Sequence, residues 1–409
     1  MTTDLTAKAR FGPYGRVLRE PVLRRILTGV LVSSLGDGMA VVAVAWLAIQ
    51  IAPVSQAGVW TGLAVAAYAL PAALGTVVLA PLVRSMASSR LIALDAILRA
   101  VALGAVAALG IAGLLHPVVY VVLLAFSSLL HAWGNAGAYT LVSERLDGPD
   151  RVTGNALLST ASQASVVVGP ALAGGIVAIA GPSWVIGLDA LSFVVLAAVS
   201  WKVGRGAQPT TVPSGPPGSA WKVIAGSRQL LGLLVITCVF YFLYGPVEVA
   251  LPLHVADDLR GSAGVLGILL AVFGVGALIG GLCAGLLPRR SPWLVVIVII
   301  VGWGAALLPV GLSRTLLPAM IGMTLGGLIY GPYMAMSTEL FQRVSAPELL
   351  SRVLAVRGAI VIPAVSLGTL IGGPIVNVFG APAALTASAL LTVALGLVLG
   401  LVVLVRRYQ

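Results

Sequence analysis

VSERLDGPDRVTGNAL, residues 142–157, lies over LFQRVSAPELLSRVLA, residues 340–355, when the chain is shifted against itself by 198 positions. Arg145 then falls on Arg343, Pro149-Asp150 on Pro347-Glu348, and Gly174-Gly175 on Gly372-Gly373. Self-similarity at half the chain length marks a duplicated architecture. Each copy is a polar, charged loop that leads into a long apolar segment. What is duplicated is therefore a set of apolar segments together with their connections.

Working outward from those loops, apolar runs fill most of the 409 residues. Hydrophobic residues make up 59% of the chain and charged residues 9%, against about 25% charged in soluble domains. A hydrocarbon layer of ~30 Å needs about 20 apolar residues per crossing helix. On that ruler twelve spans run over 25–50, 58–83, 91–113, 117–141, 155–180, 183–203, 229–253, 263–287, 292–312, 315–338, 352–378 and 383–405. Connections such as 52–57, 113–118 and 181–183 are too short for anything but antiparallel neighbours in a bundle. The expected fold is an all-α integral membrane protein of twelve transmembrane helices in two six-helix bundles.

Residues 204–221, GRGAQPTTVPSGPPGSAW, fall midway and are rich in Pro, Gly, Ser and Thr. They read as a flexible linker. It separates an N-terminal bundle, 1–203, with its basic leading segment 1–24, from a C-terminal bundle, 222–409.

Of the 24 Lys and Arg, Arg260 and Arg314 fall on the outer connections, and Arg99 and Arg357 lie inside spans; all the others sit on the termini, on alternate loops or at the span ends that adjoin them. Such bias in short loops orients membrane proteins, with the basic side inward. Both termini are thus expected in the cytoplasm, in a multi-pass protein of the cytoplasmic membrane. The net charge of +11 belongs to topology and lipid headgroups rather than nucleic acid, because it is scattered in short pairs instead of covering one polar face. No cleavable signal pattern is present at the N-terminus, and Cys238 and Cys283 lie in apolar runs, where they read as packing residues.

Ionisable groups at membrane depth are costly and point to function. Asp37, in SSLGDGMAV, sits near the middle of the first span between two glycines, with no cation one helical turn away. It is a candidate for loading and releasing protons. Glu248, in YFLYGPVEVALPLH, is bracketed by Pro246 and Pro252, which free backbone carbonyls in their helix. The preceding Tyr241 and Tyr244 set aromatic surface beside the acid, a combination that suits amphipathic or cationic organic molecules. His131, near the middle of the fourth span, is a third proton candidate, although a single histidine commonly serves packing. Asp95 and Arg99 are spaced for an i, i+4 ion pair and read as structural; Asp189 could be either. VVVGPALAGG, with Gly169, Pro170, Gly174 and Gly175, supplies small residues for close helix approach and a kink.

Several function classes are excluded by absence. The chain contains no G-x-x-x-x-G-K-[ST] loop, no G-x-S-x-G elbow, no H-E-x-x-H and no paired Cys/His metal spacing. An enzyme, a metal centre or an ATP site is not expected.

The sequence resembles the major facilitator superfamily along essentially its whole length, in particular its twelve-span drug:proton antiporter branch, which includes macrolide and siderophore exporters. The resemblance rests on Gly36-Asp37, LIALDAILRA (91–100), GPALAGG (169–175), GLDALSF (187–193) and VEVALPLHVADDLRGSAGVLGILLAVFGVGALIGG (247–281). GPALAGG looks like the fifth-helix antiporter motif, with Ala173 where a glycine is usual. The family's loop between spans two and three reads G-x-L-A-D-R; here it is Ala80-Pro81-Leu82-Val83-Arg84-Ser85. Arg84 therefore stands where the gating aspartate is usual, and Glu144 or Glu339 could supply the missing acid. The resemblance implies that spans 1, 4, 7 and 10 line a central cavity, which makes Trp46, Asn135, Tyr241, Tyr244, Tyr330 and Tyr333 candidate substrate contacts.

The reading that follows is a monomeric, proton-driven exporter of small amphipathic molecules. It would work by alternating access, with the proton gradient as its energy source and no bound cofactor, among membrane lipids and without ATP or nucleic acid. Two half-length repeats fit a secondary transporter. A lipid or lysolipid translocator, a proton-coupled uptake symporter and, more remotely, a membrane sensor or assembly protein are the alternatives.

Overall fold

The structure, a computed structural model, describes residues 12–83, 85–204, 218–284, 292–345 and 347–408. Arg84 lies outside the described residues, as do 205–217 of the expected linker. Among the described residues the chain is helical almost throughout, as an apolar solvent demands. Hydrocarbon offers no hydrogen bonds, so a helix must satisfy its own backbone.

In chain order the helices are α1 (Pro13–Val17), α2 (Pro21–Ile51), α3 (Ala57–Val78), α4 (Ala80–Val83), α5 (Ser88–Ile111), α6 (Pro117–Ser128), α7 (His131–Arg145), α8 (Gly148–Ala180) and α9 (Pro182–Val203). They continue with α10 (Gly218–Gly226), which begins inside the expected linker, α11 (Arg228–Leu253), α12 (Ala263–Cys283), α13 (Pro292–Leu312), α14 (Leu316–Tyr330), α15 (Tyr333–Val344), α16 (Pro347–Phe379) and α17 (Ala381–Tyr408). Eleven described helical stretches are long and apolar enough to cross a membrane, and α14 is a shorter apolar helix. Large apolar side chains such as Leu282, Leu397 and Val398 are more than half exposed. A surface like this suits hydrocarbon rather than water.

Two of the expected spans are broken. The fourth divides between α6 and α7 at Leu129-Leu130, and the tenth between α14 and α15 at Gly331-Pro332. Pro332 has no N–H to continue the ladder, which accounts for the second break. The first has no proline, but the Leu129 carbonyl is pressed against Gly75, where a Cβ would overlap it, and Trp133 Nε1 donates to the Gly75 carbonyl at 3.0 Å. A third irregularity closes α11. Beyond Pro252 the chain makes a π-turn over His254–Asp258, then passes through Arg260 at a φ of 48°.

The chain forms two compact units, Met1–Ala43 with Pro71–Val212, and Val44–Leu70 with Pro213–Gln409. In unit 1, α5 packs along α9 and against α7, and α2 meets α8 where Gly38 touches Gly169. In unit 2 the corresponding pairs are α13 with α17 and α11 with α16, the latter meeting where Gly245 touches Gly368. The duplicated sequence thus yields duplicated helix pairings. The stretch 44–70 joins unit 2 through Asn377. Its Nδ2 donates to the Ser55 carbonyl at 2.6 Å, and its Oδ1 accepts from the Gly58 amide at 2.8 Å. Cys238 and Cys283 are free.

Candidate functional site

In unit 1, small residues draw three helices tightly around Asp37. A Cβ on Gly36 would run into the Asp189 carboxyl, with Ser192 Oγ 3.0 Å away; one on Gly38 would strike the Ser165 carbonyl; one on Gly169 would lie 2.6 Å from Gly38 Cα. Glycines on α2 and α8 therefore let backbone meet backbone, and Asp37 is held at the seam. Pro170 and Gly174 are buried on the same helix, whereas Gly175 is exposed with open space before it.

Arg99, 2% exposed on α5, faces this seam. Its Nη2 donates to Asp37 Oδ1 at 2.6 Å. Its Nη1 lies 2.6 Å from His131 Nδ1, and its guanidinium carbon sits 4.4 Å above the Phe193 ring of α9. The spacing of Asp95 and Arg99 pointed to a local i, i+4 pair; Arg99 also reaches across to α2 and α7. The reason is geometric, since the glycine-lined seam brings Asp37 within range of a long side chain rooted on a neighbouring helix. Asp95 turns toward the helix break, with Oδ2 3.9 Å from His131 Nδ1 and with no room for a Cβ at Gly134.

His131 owes its position to the break, because it is the first residue of α7. Asp189 is fully buried on α9. Ser192 Oγ donates to its carbonyl at 2.7 Å and is 3.5 Å from its Oδ1. Among the described residues, Asp189 Oδ2 and Asp95 Oδ1 have no hydrogen-bond partner, an arrangement costly enough in a buried site to call for explanation.

Three carboxyl groups, one guanidinium and one imidazole thus share a small volume. A single guanidinium offsets one carboxylate, so charge counting makes proton occupancy a variable of this cluster. A cavity of about 70 Å³ opens onto it, lined in part by Ser33, Ser34, Asp37, Arg99, His131 and Asn135. A water needs only ~10–15 Å³ of such space, so a short chain of waters fits. Asn135 is exposed beside it.

At the end of unit 1 that carries the basic loops, Ser88 Oγ donates to Glu144 Oε2 at 2.8 Å. Glu144 therefore ties the end of α7 to the start of α5, immediately after the loop that carries Arg84. Nearby, Arg16 Nη2 is 2.9 Å from Asp150 Oδ1 and Arg145 Nη1 is 3.7 Å from Glu20 Oε1. In unit 2 the repeat puts Gln342 at the position of Glu144, and the nearby acid Glu339 is paired along its own helix with Arg343 at 2.6 Å.

Unit 2 holds a different chemistry. Glu248 accepts from Thr369 Oγ1 of α16 at 3.0 Å. The same hydroxyl is 3.0 Å from the Val365 carbonyl, so its one proton is shared between two acceptors. Where Asp37 meets a guanidinium, Glu248 meets a hydroxyl. On the neighbouring turns of α11, Tyr241 OH lies 2.8 Å from Tyr330 OH. Tyr330 stacks on Tyr333 at 5.9 Å between centroids, and Tyr244 and Phe273 approach Trp303 at 6.1 and 5.3 Å. Tyr333 and Trp303 are only 1% and 2% exposed, so they form the floor of this aromatic group. Tyr241, Tyr244, Tyr330 and Glu248 are half-buried, as is Trp46.

Two participants were not legible as such in the sequence, the reach of Arg99 to Asp37 and the approach of Asp189 to Gly36. The one available signal was numerical. The first half carries three intramembrane aspartates and a single arginine at comparable depth, so one cation had to be shared.

The profile of a family described as transmembrane secretion effector matches residues 12–409. The multidrug efflux pump Tap of Mycobacterium tuberculosis H37Rv is 28% identical over 395 residues, covering 91% of each chain. The macrolide efflux protein A of Enterococcus faecalis is 28% identical over 221 residues, 50% of this chain and 66% of that protein. Among solved structures, a bacterial homolog of the human lysosomal transporter Spinster, in an inward-facing and unoccupied conformation, shares the fold with a TM-score of 0.68. It is 13% identical, and the match covers 93% of this chain and 96% of that one.

Proposed function

We propose, starting from the fact that this chain belongs to the transmembrane secretion effector family of the major facilitator superfamily, that it exports small amphipathic, drug-like molecules across the cytoplasmic membrane in exchange for protons. The drug-efflux names of its relatives support export of such compounds. The proposal includes twelve crossings, with α14 and α15 making the tenth, both termini in the cytoplasm, and alternating access.

The observation that carries proton coupling is the Asp37–Arg99 ion pair within the cavity-facing cluster. A proton arriving through the cavity water binds the Asp37 carboxylate and cancels its attraction to Arg99. The guanidinium is then free to strengthen its contact with Asp95, next to His131. Loss of that proton re-forms the pair. Two charge arrangements of similar energy, selected by one proton, form the bistable element that coupling requires. Substrate recognition falls to Glu248 and the half-buried tyrosines of unit 2, an acid beside aromatic faces that favours cationic amphiphiles.

The test is efflux from proteoliposomes under an imposed pH gradient. Wild-type protein should move a cationic dye in proportion to the gradient, and Asp37→Asn should move it without responding to the gradient. Full gradient-driven transport by Asp37→Asn would remove Asp37 from the mechanism. Transport indifferent to the gradient in the wild type would favour a lipid translocator on the same fold.

A further inference from the structure

We infer that unit 1 carries a binding site for an anionic phospholipid where the start of α5 meets the end of α9. A cavity of about 540 Å³ opens there, lined by Met86, Arg90, Leu94, Trp201 and Gly204. That volume falls within the ~300–1,000 Å³ usual for small-molecule sites, and the cavity is separate from the Asp37 cluster.

The lining has the chemistry of a lipid headgroup region. Arg90 is exposed and has no acidic partner among the described residues. A guanidinium left unpaired at a membrane boundary is suited to hold a phosphate by two parallel hydrogen bonds. Trp201 is 48% exposed, on the last turns of α9, the depth at which indole rings sit at a bilayer interface. Lys202 follows it in the last turn and adds a second positive charge. Met86 and Leu94 supply apolar surface to the lining.

Helical phase keeps the neighbouring acid away from the cavity. At 100° per residue, Arg90 and Leu94, one turn apart, share one face of α5, and Met86 lies just before the helix begins. Ser88, which binds Glu144, lies on the opposite face, and the first turn of α5 contains no acid. Gly204 forms the floor. A Cβ there would be 3.2 Å from Ser89 Oγ and 3.4 Å from Arg90 Cγ. Ser89 and Ser200, both fully buried, have hydroxyls with no hydrogen-bond partner among the described residues. Basic pockets between transmembrane helices are where anionic headgroups are bound.

The occupant is a phospholipid rather than a soluble anion, because the site joins a cation and an indole to apolar side chains that a free phosphate would leave unused. The inference needs only that this end of α5 and α9 meets a leaflet boundary; the orientation proposed above makes it the inner leaflet.

The test uses delipidated full-length protein in detergent, titrated with phosphatidylglycerol and followed by native mass spectrometry and thermal unfolding. Wild-type protein should bind phosphatidylglycerol at least tenfold more tightly than phosphatidylcholine and unfold at higher temperature with it. Arg90→Gln should lose that preference, and Trp201→Ala should weaken binding several-fold. Arg314→Gln, the same charge change at an exposed outer position, should bind like wild type. Equal binding of phosphatidylglycerol by Arg90→Gln would overturn the site, as would equal affinity for the two lipids. Glycerol 1-phosphate, which lacks acyl chains, binding as tightly would make this a soluble-anion site and refute the lipid assignment. No binding by the wild type would do the same.

Discussion

Arg99 donates to Asp37 at 2.6 Å across two helices, although Asp95 is its neighbour one turn away on α5. That contact makes an arginine that reads as a local structural element a counter-ion of the central carboxyl. Removing one partner of a buried ion pair costs ~3–5 kcal/mol, and Asp37, which borders the cavity, puts the cost toward the lower end. Arg99→Gln should therefore lower the thermal unfolding midpoint of the purified protein clearly. The double variant Asp37→Asn/Arg99→Gln should recover more than half of that loss. A double variant less stable than Arg99→Gln alone would show that the pair is not what holds these helices.

Gly169 and Gly175 stand six residues apart on α8 and should respond in opposite ways. A methyl at Gly169 would lie 2.6 Å from Gly38 Cα and 2.8 Å from the Met39 nitrogen, backbone atoms that cannot rotate aside. Gly169→Ala should cost at least the ~1–3 kcal/mol of an overpacked core and reduce the yield of folded protein. Gly175 faces open space, so Gly175→Ala should be neutral or stabilise the helix by up to ~1 kcal/mol. Parallel expression and unfolding measurements check both.

Glu248 is hydrogen-bonded to Thr369 and forms no ion pair among the described residues. Glu248→Gln keeps a hydrogen-bonding group of the same shape. Efflux of a cationic dye should fall about tenfold, the equivalent of ~1.4 kcal/mol, while efflux of an uncharged compound of similar size changes little. Equal loss for both compounds would point to a role in folding or coupling rather than in charge selection.

Tyr333 and Tyr241 belong to one aromatic group but differ in exposure. Tyr333 is 1% exposed and packs against Phe240 at 4.8 Å between centroids. Tyr333→Ala should destabilise by ~3–5 kcal/mol, as for other buried aromatic truncations, and show it in thermal unfolding. Tyr241→Ala, at a half-buried site, should leave most of the stability intact and alter which substrates are transported. A destabilisation at Tyr241 equal to that at Tyr333 would mean that neither ring is available to substrate.

How far the sequence could be read depended on how local the controlling physics was. Span positions, tight turns and the half-length repeat were legible because hydropathy and loop charge act within a few residues. The helical pairings that the repeat produces, α5 with α9 and α13 with α17, follow from it. The breaks that position His131 and Tyr333 were not legible in the same way. Gly331-Pro332 is a recognisable interruption, but Leu129-Leu130 contains no helix breaker and yields only where Gly75 lets another backbone press in.

By itself, the sequence determined an all-helical membrane protein of two related halves, and it located the ionisable groups of the Asp37 cluster and Glu248. The tertiary structure alone decided which of those groups meet. Asp37, Arg99, His131 and Asp189 are separated by 32 to 152 positions along the chain, so their distances depend on how closely α2, α5, α7, α8 and α9 approach. That approach is set by glycines at Gly36, Gly38 and Gly169, whose missing side chains have an effect only when another helix occupies the space. Composition and periodicity describe one helix at a time, whereas an ion pair across a glycine seam is a property of several.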